Sequence, residues 1–435
     1  MFPIVQIMLG RGFTITGSDN NEGDALAAER EMGVKITLGH SAENLGNADA
    51  VVFSAAIAQD NPELACARER GIPIIERSEM LGYLTRQYSD CICVAGTHGK
   101  TTATSMISQI LLKSGFDPAT VIGGKLPLIG GSGRSGSGTV MTCEADEFAR
   151  TFLKLSPDIA VILNIDEDHM DIYGTMGELK SAFRRFAQNA SRRVIANGDD
   201  ENTVNALEGM RFTSFGFSAG NDYFPENITP LDNLGSRFDL MCKGGKLCTI
   251  ELAVIGRHNI LNAVAACAAA LEVGVKPHQL AAGLDGFTGA GRRFEVLGKV
   301  NGFTVVDDYA HHPAEIEVTM NAAMKLGYNK VWAVFQPFTF SRTSMLLDSF
   351  AQSLSIPDKT VVSKIMGGRE TNTYGIYAKD LTDKIPGSVY METFEEIAAY
   401  ILENAEAGDL VVTMGCGDVY KCAKLILEKG RPQDR

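Results

Sequence analysis

Seven residues, Gly96-Thr97-His98-Gly99-Lys100-Thr101-Thr102, stand between an apolar strand-like run, Cys91–Ala95, and a run with helical spacing, Thr102–Ser114. Glycines in such a loop let the backbone turn tightly, so that its N–H groups face phosphate oxygens. The start of the helix adds favourable partial charge. A lysine at this place reaches β- and γ-phosphates, and the Thr101 hydroxyl suits Mg²⁺. The standard phosphate-loop pattern would place a glycine where Val94 stands. An ordinary glycine turn with a surface lysine is the competing reading, and the strand–loop–helix context favours phosphate.

Acidic groups follow two further strand-like runs. Cys143-Glu144-Ala145-Asp146-Glu147 closes Thr139–Cys143, where a carboxylate beside a phosphate loop is placed to bind Mg²⁺. A solvated acidic turn is the alternative. Asn164-Ile165-Asp166-Glu167-Asp168-His169 follows Ile159–Leu163 and could bind a second metal or order the first one's waters. A capped helix start would use the same residue types. His258-Asn259-Ile260-Leu261-Asn262 opens an Ala-rich helix; its amides could read adenine or merely cap. Arg292-Arg293 could clamp a phosphate on a hinge or be a surface pair. Asp307-Asp308-Tyr309-Ala310-His311-His312 ends another strand; a carboxylate there could hold ribose hydroxyls, and the histidines could touch reacting groups. Of seven histidines, five (98, 169, 258, 311 and 312) lie in these motifs, a distribution that satisfied core histidines have no reason to adopt.

The elements that must position these groups alternate between strand and helix. Strands are expected at Phe13–Thr16, Lys35–Leu38, Ala50–Ser54 and Pro73–Ile75, forming one parallel sheet, with helices at Asp24–Met32 and Asn61–Arg70. A second unit begins near Ser89 and holds the phosphate loop, a flexible Gly/Ser-rich loop at 130–138, and a buried helix at Asn259–Leu271. A third begins near Gly291, with strands Phe303–Val306, Val331–Phe335, Thr360–Val362 and Leu410–Thr413. The expected domains are therefore 1–88, 89–290 and 291–435.

Length and composition agree. The chain has 435 residues, enough for two to four domains. Its 40 Lys+Arg against 53 Asp+Glu leave a net charge of −13, which argues against nucleic acid or an anionic membrane surface as main partner. Nine scattered cysteines without a CxxC pair suit a reducing cytoplasm rather than a disulfide framework. No apolar run is long enough to span a membrane, so no stable membrane association is expected.

Taken together, "GTHGKTT", "EADE", "NIDEDHMDIYG", "GRHNILNA", "GAGRRFE", "DDYAHHPAEI" and "FQP…SRT" closely resemble the Mur ligases of peptidoglycan synthesis, in family order through nearly the whole chain. The resemblance implies an α/β protein of three domains: an N-terminal Rossmann-like UDP-binding domain, truncated here; a central P-loop ATPase with a mainly parallel sheet; and a C-terminal Rossmann-like domain. It implies ATP-dependent joining of L-alanine to the lactyl carboxylate of UDP-N-acetylmuramate through an acyl phosphate, by a monomer or weak homodimer. A murein-tripeptide recycling ligase and an inactive nucleotide-binding paralogue are the alternatives.

Carried over position by position, the loop Gly96, Thr97, His98, Gly99, Lys100, Thr101 and Thr102 holds the ATP phosphates. Thr101 and Glu144 bind the first Mg²⁺, and His169 helps hold the second. His258, Asn259 and Asn262 belong to the adenine region, Arg293 to the phosphates and Asp308 to the ribose. Tyr309, His311 and Arg342 lie at the amino-acid and acyl-phosphate end, with Ser18, Asp19 and Ser54 near the uridine. Lys100, His169, His311 and Arg342 carry the chemistry.

The sequence departs from the family pattern in places. A first strand with a Gly-rich turn is missing, which should leave the first sheet a strand short with an exposed edge. Phe148 and Ala149 replace a usual Ser-Asp, Phe338 a usual His, and "SKIMGGRE" and "MGCGDV" replace commoner forms. Phe183 takes the place of a lysine that is carbamylated in sister ligases.

Overall fold

The computed structural model describes residues 1–231, 235–368 and 370–430; Arg369 of the "SKIMGGRE" segment lies outside them. The chain divides into two compact units, Met1–Ala253 with Arg257–Phe287, and Val254–Gly256 with the chain from Thr288 onward. Each has its own sheet and core.

In the first unit Asp90–Ala95 is buried from Cys91 onward, as a strand flanked on both sides must be. It pairs in parallel with Val140–Glu144 and Ile159–Ile162; Cys93 lies opposite Cys143 on one side and Ala160 on the other. Ala119–Leu126, Arg193–Asn197 and Thr213–Phe215 extend the parallel set. The sheet reaches ten strands by adding Tyr223–Pro230, Ser236–Cys242 and Gly245–Leu252 at one edge, the last two antiparallel, and Gly131–Arg134 at the other. The helix Lys100–Lys113 is buried from Thr101 to Leu111, and Arg257–Glu272 is buried from Asn262 to Ala270, as the Ala-rich composition predicts. All the cysteines are free thiols.

Two expectations for this unit are corrected. The Gly/Ser-rich run at 130–138 is not simply a flexible loop: Gly131–Arg134 is an edge strand antiparallel to Ala119–Leu126. Its glycines serve close packing, because a Cβ on Gly133 would lie 2.5 Å from Cα of Pro3 and from Oε1 of Gln6. The helix Phe2–Gly10, with Ile4 and Ile7 buried, thus lies directly on this edge. Secondly, the N-terminal strands do not make one sheet. Thr16–Asp19, the first of them, begins where the expected Phe13–Thr16 ends, and among the described residues it pairs only with Lys35–Leu38. Among the described residues Val51–Phe53 pairs only with Ile74–Glu76. No strand among the described residues bonds to both ribbons, so the two remain separate.

The second unit is a six-stranded sheet in the order Glu295–Val300, Phe303–Asp308, Leu410–Met414, Val331–Phe335, Lys359–Val362, Val389–Tyr390. Only the first is antiparallel. Alternation sets two cores on its faces. Val306, Ala333, Phe335 and Val412 join one, while Val305, Val334 and Val411 join the other with Ile397, Ile401 and Ile426. This is the doubly wound α/β pattern.

Candidate active site

The loop after Asp90–Ala95 is tied down before any ligand is considered. The Asn164 amide accepts from the His98 N–H (2.8 Å) and donates to the His98 carbonyl (3.0 Å). The Thr97 hydroxyl accepts from the Asp166 N–H (2.9 Å). His98 Nε2 lies 3.2 Å from Asp166 Oδ2. The two motifs, far apart in sequence, are therefore one structure. Gly99 caps the helix with φ +85°, where side chains are strained, and a Cβ there would sit 2.6 Å from Asn262 Oδ1. Asn262, nearly buried, donates to Asn259 Oδ1 at 3.0 Å, and His258 and Asn259 lie in the first turn of the same helix.

Lys100 Nζ donates to the Gly96 carbonyl (2.7 Å), the Thr97 carbonyl (3.3 Å) and both oxygens of Glu147 (3.0 and 2.8 Å). Burial works against its charge, but Glu147, Asp146 and Glu144 outweigh that and hold the ammonium above its ordinary pKa. Glu147 is 2% exposed, and burial pushes its carboxyl up to about 7 despite Lys100. Thr101 Oγ1 donates to Glu144 Oε1 at 3.0 Å, and the Gly123 N–H donates to Glu144 Oε2 at 2.7 Å. Thr102 is buried in the same first helical turn.

His169 caps the short helix Met170–Tyr173 in a left-handed conformation, φ 55°. Its ring meets the Phe148 ring edge-on at 5.1 Å, and Nε2 lies 3.7 Å from Asp168 Oδ2. Tyr173 O–H donates to the Glu147 carbonyl at 2.6 Å, fastening this helix to the acidic loop. A cavity of about 130 Å³ opens beside Glu144 and Asp146; Arg77, Ser78, Gly123 and Thr151 also line it. Phe183 is wholly buried against Phe152, so that position is core here.

In the first unit's ribbons, Ser18 Oγ lies 3.1 Å from His40 Nδ1, and Asp19 accepts from the Asn21 N–H. Ser54 follows the other ribbon and accepts from the Ala56 N–H. The structure thus sets Ser18 and Asp19 together and Ser54 on a separate element.

The second unit gathers its residues at the ends of Phe303–Asp308 and Leu410–Met414. Arg292 donates to Asp307 Oδ2 (2.7 Å) and to the Gly417 and Gly415 carbonyls (2.9 and 2.6 Å). Its guanidinium lies over the Tyr309 and Tyr420 rings, and Arg293 over Tyr309 at 5.0 Å. Arg292 is therefore a structural staple, and Arg293 shares its Tyr309 ring. Asp308 accepts from the Ala310 and Phe294 N–H groups, both at 2.7 Å, and burial raises its carboxyl to about 6 against the pull of Arg293. His311 Nδ1 lies 3.0 Å from the Tyr309 carbonyl and 3.2 Å from Glu315, with its ring edge-on to Tyr309. Arg342 lies in the helix Phe340–Met345, capped by Thr339.

Comparison with known proteins bears on this arrangement. Residues 1–89 match the profile "Mur ligase family, catalytic domain", 94–270 "Mur ligase middle domain", and 292–417 "Mur ligase, glutamate ligase domain". The UDP-N-acetylmuramate–L-alanine ligase of Acetivibrio thermocellus is 40% identical over 98% of this chain and 93% of its own. The chain belongs to the Mur ligase family. The enzyme of the same name from Agathobacter rectalis is 41% identical over 99% of this Mur ligase and 95% of its own length. Among solved structures, the Thermotoga maritima UDP-N-acetylmuramate–alanine ligase superposes with a TM-score of 0.83 at 26% identity, over 98% of this chain and 95% of that one. A murein peptide ligase from Psychrobacter arcticus gives 0.75 at 26%, over the same shares.

Two residues of this Mur ligase escaped the sequence reading. Glu147 stood inside a recognised motif, but its spacing to Lys100 carries no local signal. Arg77 opens a helix, Arg77–Thr85, and only the cavity wall distinguishes it from a surface arginine.

Proposed function

We propose that this Mur ligase joins L-alanine to the lactyl carboxylate of UDP-N-acetylmuramate, with ATP converted to ADP and phosphate. The observation that carries the reading is the convergence of Lys100, Thr101 and Glu144 at adjacent strand ends, in a chain 40% identical over nearly its whole length to ligases of that name. A carboxylate resists attack by an amine until it is activated. A lactyl oxygen attacks the γ-phosphorus, the bond to ADP breaks, and an acyl phosphate forms. The alanine amine, having lost a proton, then attacks the acyl carbon, and phosphate leaves from the tetrahedral intermediate.

Lys100, released from its acceptors in the protein, supplies the cation for the transferred phosphoryl group, and the first turn of Lys100–Lys113 supplies N–H groups for the phosphates. Thr101 and Glu144 suit Mg²⁺, a hard ion that takes one or two protein oxygens and completes its shell with phosphate and water. Bound there, it would neutralise charge on the β- and γ-phosphates. His169 is assigned to a second ion's surroundings. The cavity beside Glu144, with Arg77 on its wall, is assigned to the sugar's carboxylate. Asn259, Asn262, Arg293 and Asp308 are assigned to the nucleotide, and Tyr309, His311 and Arg342 to the amino acid and acyl phosphate. Ser18, Asp19 and Ser54 are assigned to the uridine. Among the described residues no helix is long and apolar enough to cross a membrane.

The test is phosphate release from ATP and Mg²⁺ with UDP-N-acetylmuramate and, separately, L-alanine, glycine, L-serine or murein tripeptide. Release that requires the sugar and L-alanine together is expected. Release with tripeptide but not L-alanine, or with no acceptor at all, overturns the reading.

A further inference from the structure

An ammonium has three protons. Lys100 Nζ has four acceptors within 3.3 Å: two loop carbonyls and both oxygens of Glu147. Every donor is thus committed inside the protein, and none remains for a phosphate oxygen until an existing bond opens. The loop carbonyls cannot give way readily, because Gly96 and Thr97 are in a segment clamped by Asn164 and Asp166. Glu147 is the partner whose bonds to Lys100 depend on a side chain alone. Its main chain is held by Tyr173, so the carboxylate stays beside the site even when the lysine leaves it.

We propose that Glu147 is a positioning residue that parks the Lys100 ammonium on the phosphate loop's own carbonyls and competes with nucleotide phosphates for it. The inference rests on the reading of Lys100 as the phosphate-binding lysine. Electrostatics sets the sign. A carboxylate 2.8 Å from the lysine both neutralises the cation that phosphate seeks and repels the phosphate. Removing that charge while keeping the shape should tighten nucleotide binding. A merely structural role predicts the opposite, because loss of a packing partner loosens the loop.

The measurement is calorimetric titration of the full chain with ADP at fixed Mg²⁺ and about pH 8, above the value of about 7 to which burial raises Glu147, for wild type, Glu147→Gln, Glu147→Asp, Lys100→Ala and the Lys100→Ala/Glu147→Gln pair. Glu147→Gln should bind ADP roughly tenfold more tightly, and Glu147→Asp, which keeps the charge, should stay near wild type. In the Lys100→Ala background the Glu147 change should have much less effect, because the ammonium it competes for is gone. The proposal is overturned if Glu147→Gln binds ADP equally or more weakly, or if its full gain persists without Lys100. If Lys100→Ala alone leaves ADP affinity intact, the reading of the phosphate site falls and the proposal with it.

Discussion

Asp308 shows how a single residue ties chemistry to stability. Both of its oxygens accept backbone N–H bonds, yet burial dominates and raises its carboxyl from 3.8 to about 6. The folded protein therefore holds a proton there that the unfolded chain has released between about pH 4 and 6. Stability from this group is greatest below that window and falls as pH rises through it. Between pH 4.5 and 7.5 wild type should lose about 2 kcal/mol that Asp308→Asn does not lose. Urea unfolding of both proteins at the two pH values checks this, and a gap that is independent of pH contradicts it. At this scale the sequence was informative where chemistry is local. Gly99, Lys100 and Thr101 are contiguous, and Glu144 ends the adjacent strand. It was blind where a role depends on a partner distant in sequence. Arg292 and Arg293 read alike in one dimension, but only Arg292 is locked between Asp307, two carbonyls and two rings.

Among the elements, the helix Phe2–Gly10 lies on an edge strand that needs a glycine to receive it. Gly133→Val puts atoms into Pro3 and should destabilise the fold by about 1–3 kcal/mol. Amide hydrogen exchange should quicken across Phe2–Gly10 and along Gly131–Arg134 while Asp90–Ala95 stays protected. Unchanged exchange in the helix would mean that the contact does not hold it. The Gly/Ser-rich run read as a flexible loop or turn because Gly and Ser are the residues of irregular chain. Tertiary packing decided otherwise, since small residues are also what close approach requires. The alternation of strands and helices was legible throughout, because apolar runs such as Cys91–Ala95 admit few other placements. Pairing partners were less so: the N-terminal strands have the right pattern for one sheet, but three or four residues each give weak register, and they settle as two ribbons.

In the whole molecule, two units with separate cores should respond separately to damage. Phe183 is packed against Phe152, which stacks on Phe186, all wholly within the first unit. Phe183→Ala should cost about 3–5 kcal/mol there. Strands Asp90–Ala95 and Ile159–Ile162 should lose exchange protection, while Val331–Phe335 keeps it. Equal losses in both would show that the units unfold as one. The sequence divided the chain into three domains; contacts join the first two into one unit, and matches to three family domains run along it in order.

The clamp on the phosphate loop has a consequence for what evolution can change. Asn164 holds residue 98 through that residue's main chain, not its imidazole. Any residue at 98 except proline, which has no N–H to donate, can keep both bonds, so most drift there is not checked by this clamp. Position 164 has no such latitude. Aspartate could accept from the N–H but could not donate to the carbonyl, and leucine could do neither. Mutational scanning should find position 164 the less tolerant of the two, with losses at 98 following the imidazole's pair with Asp166.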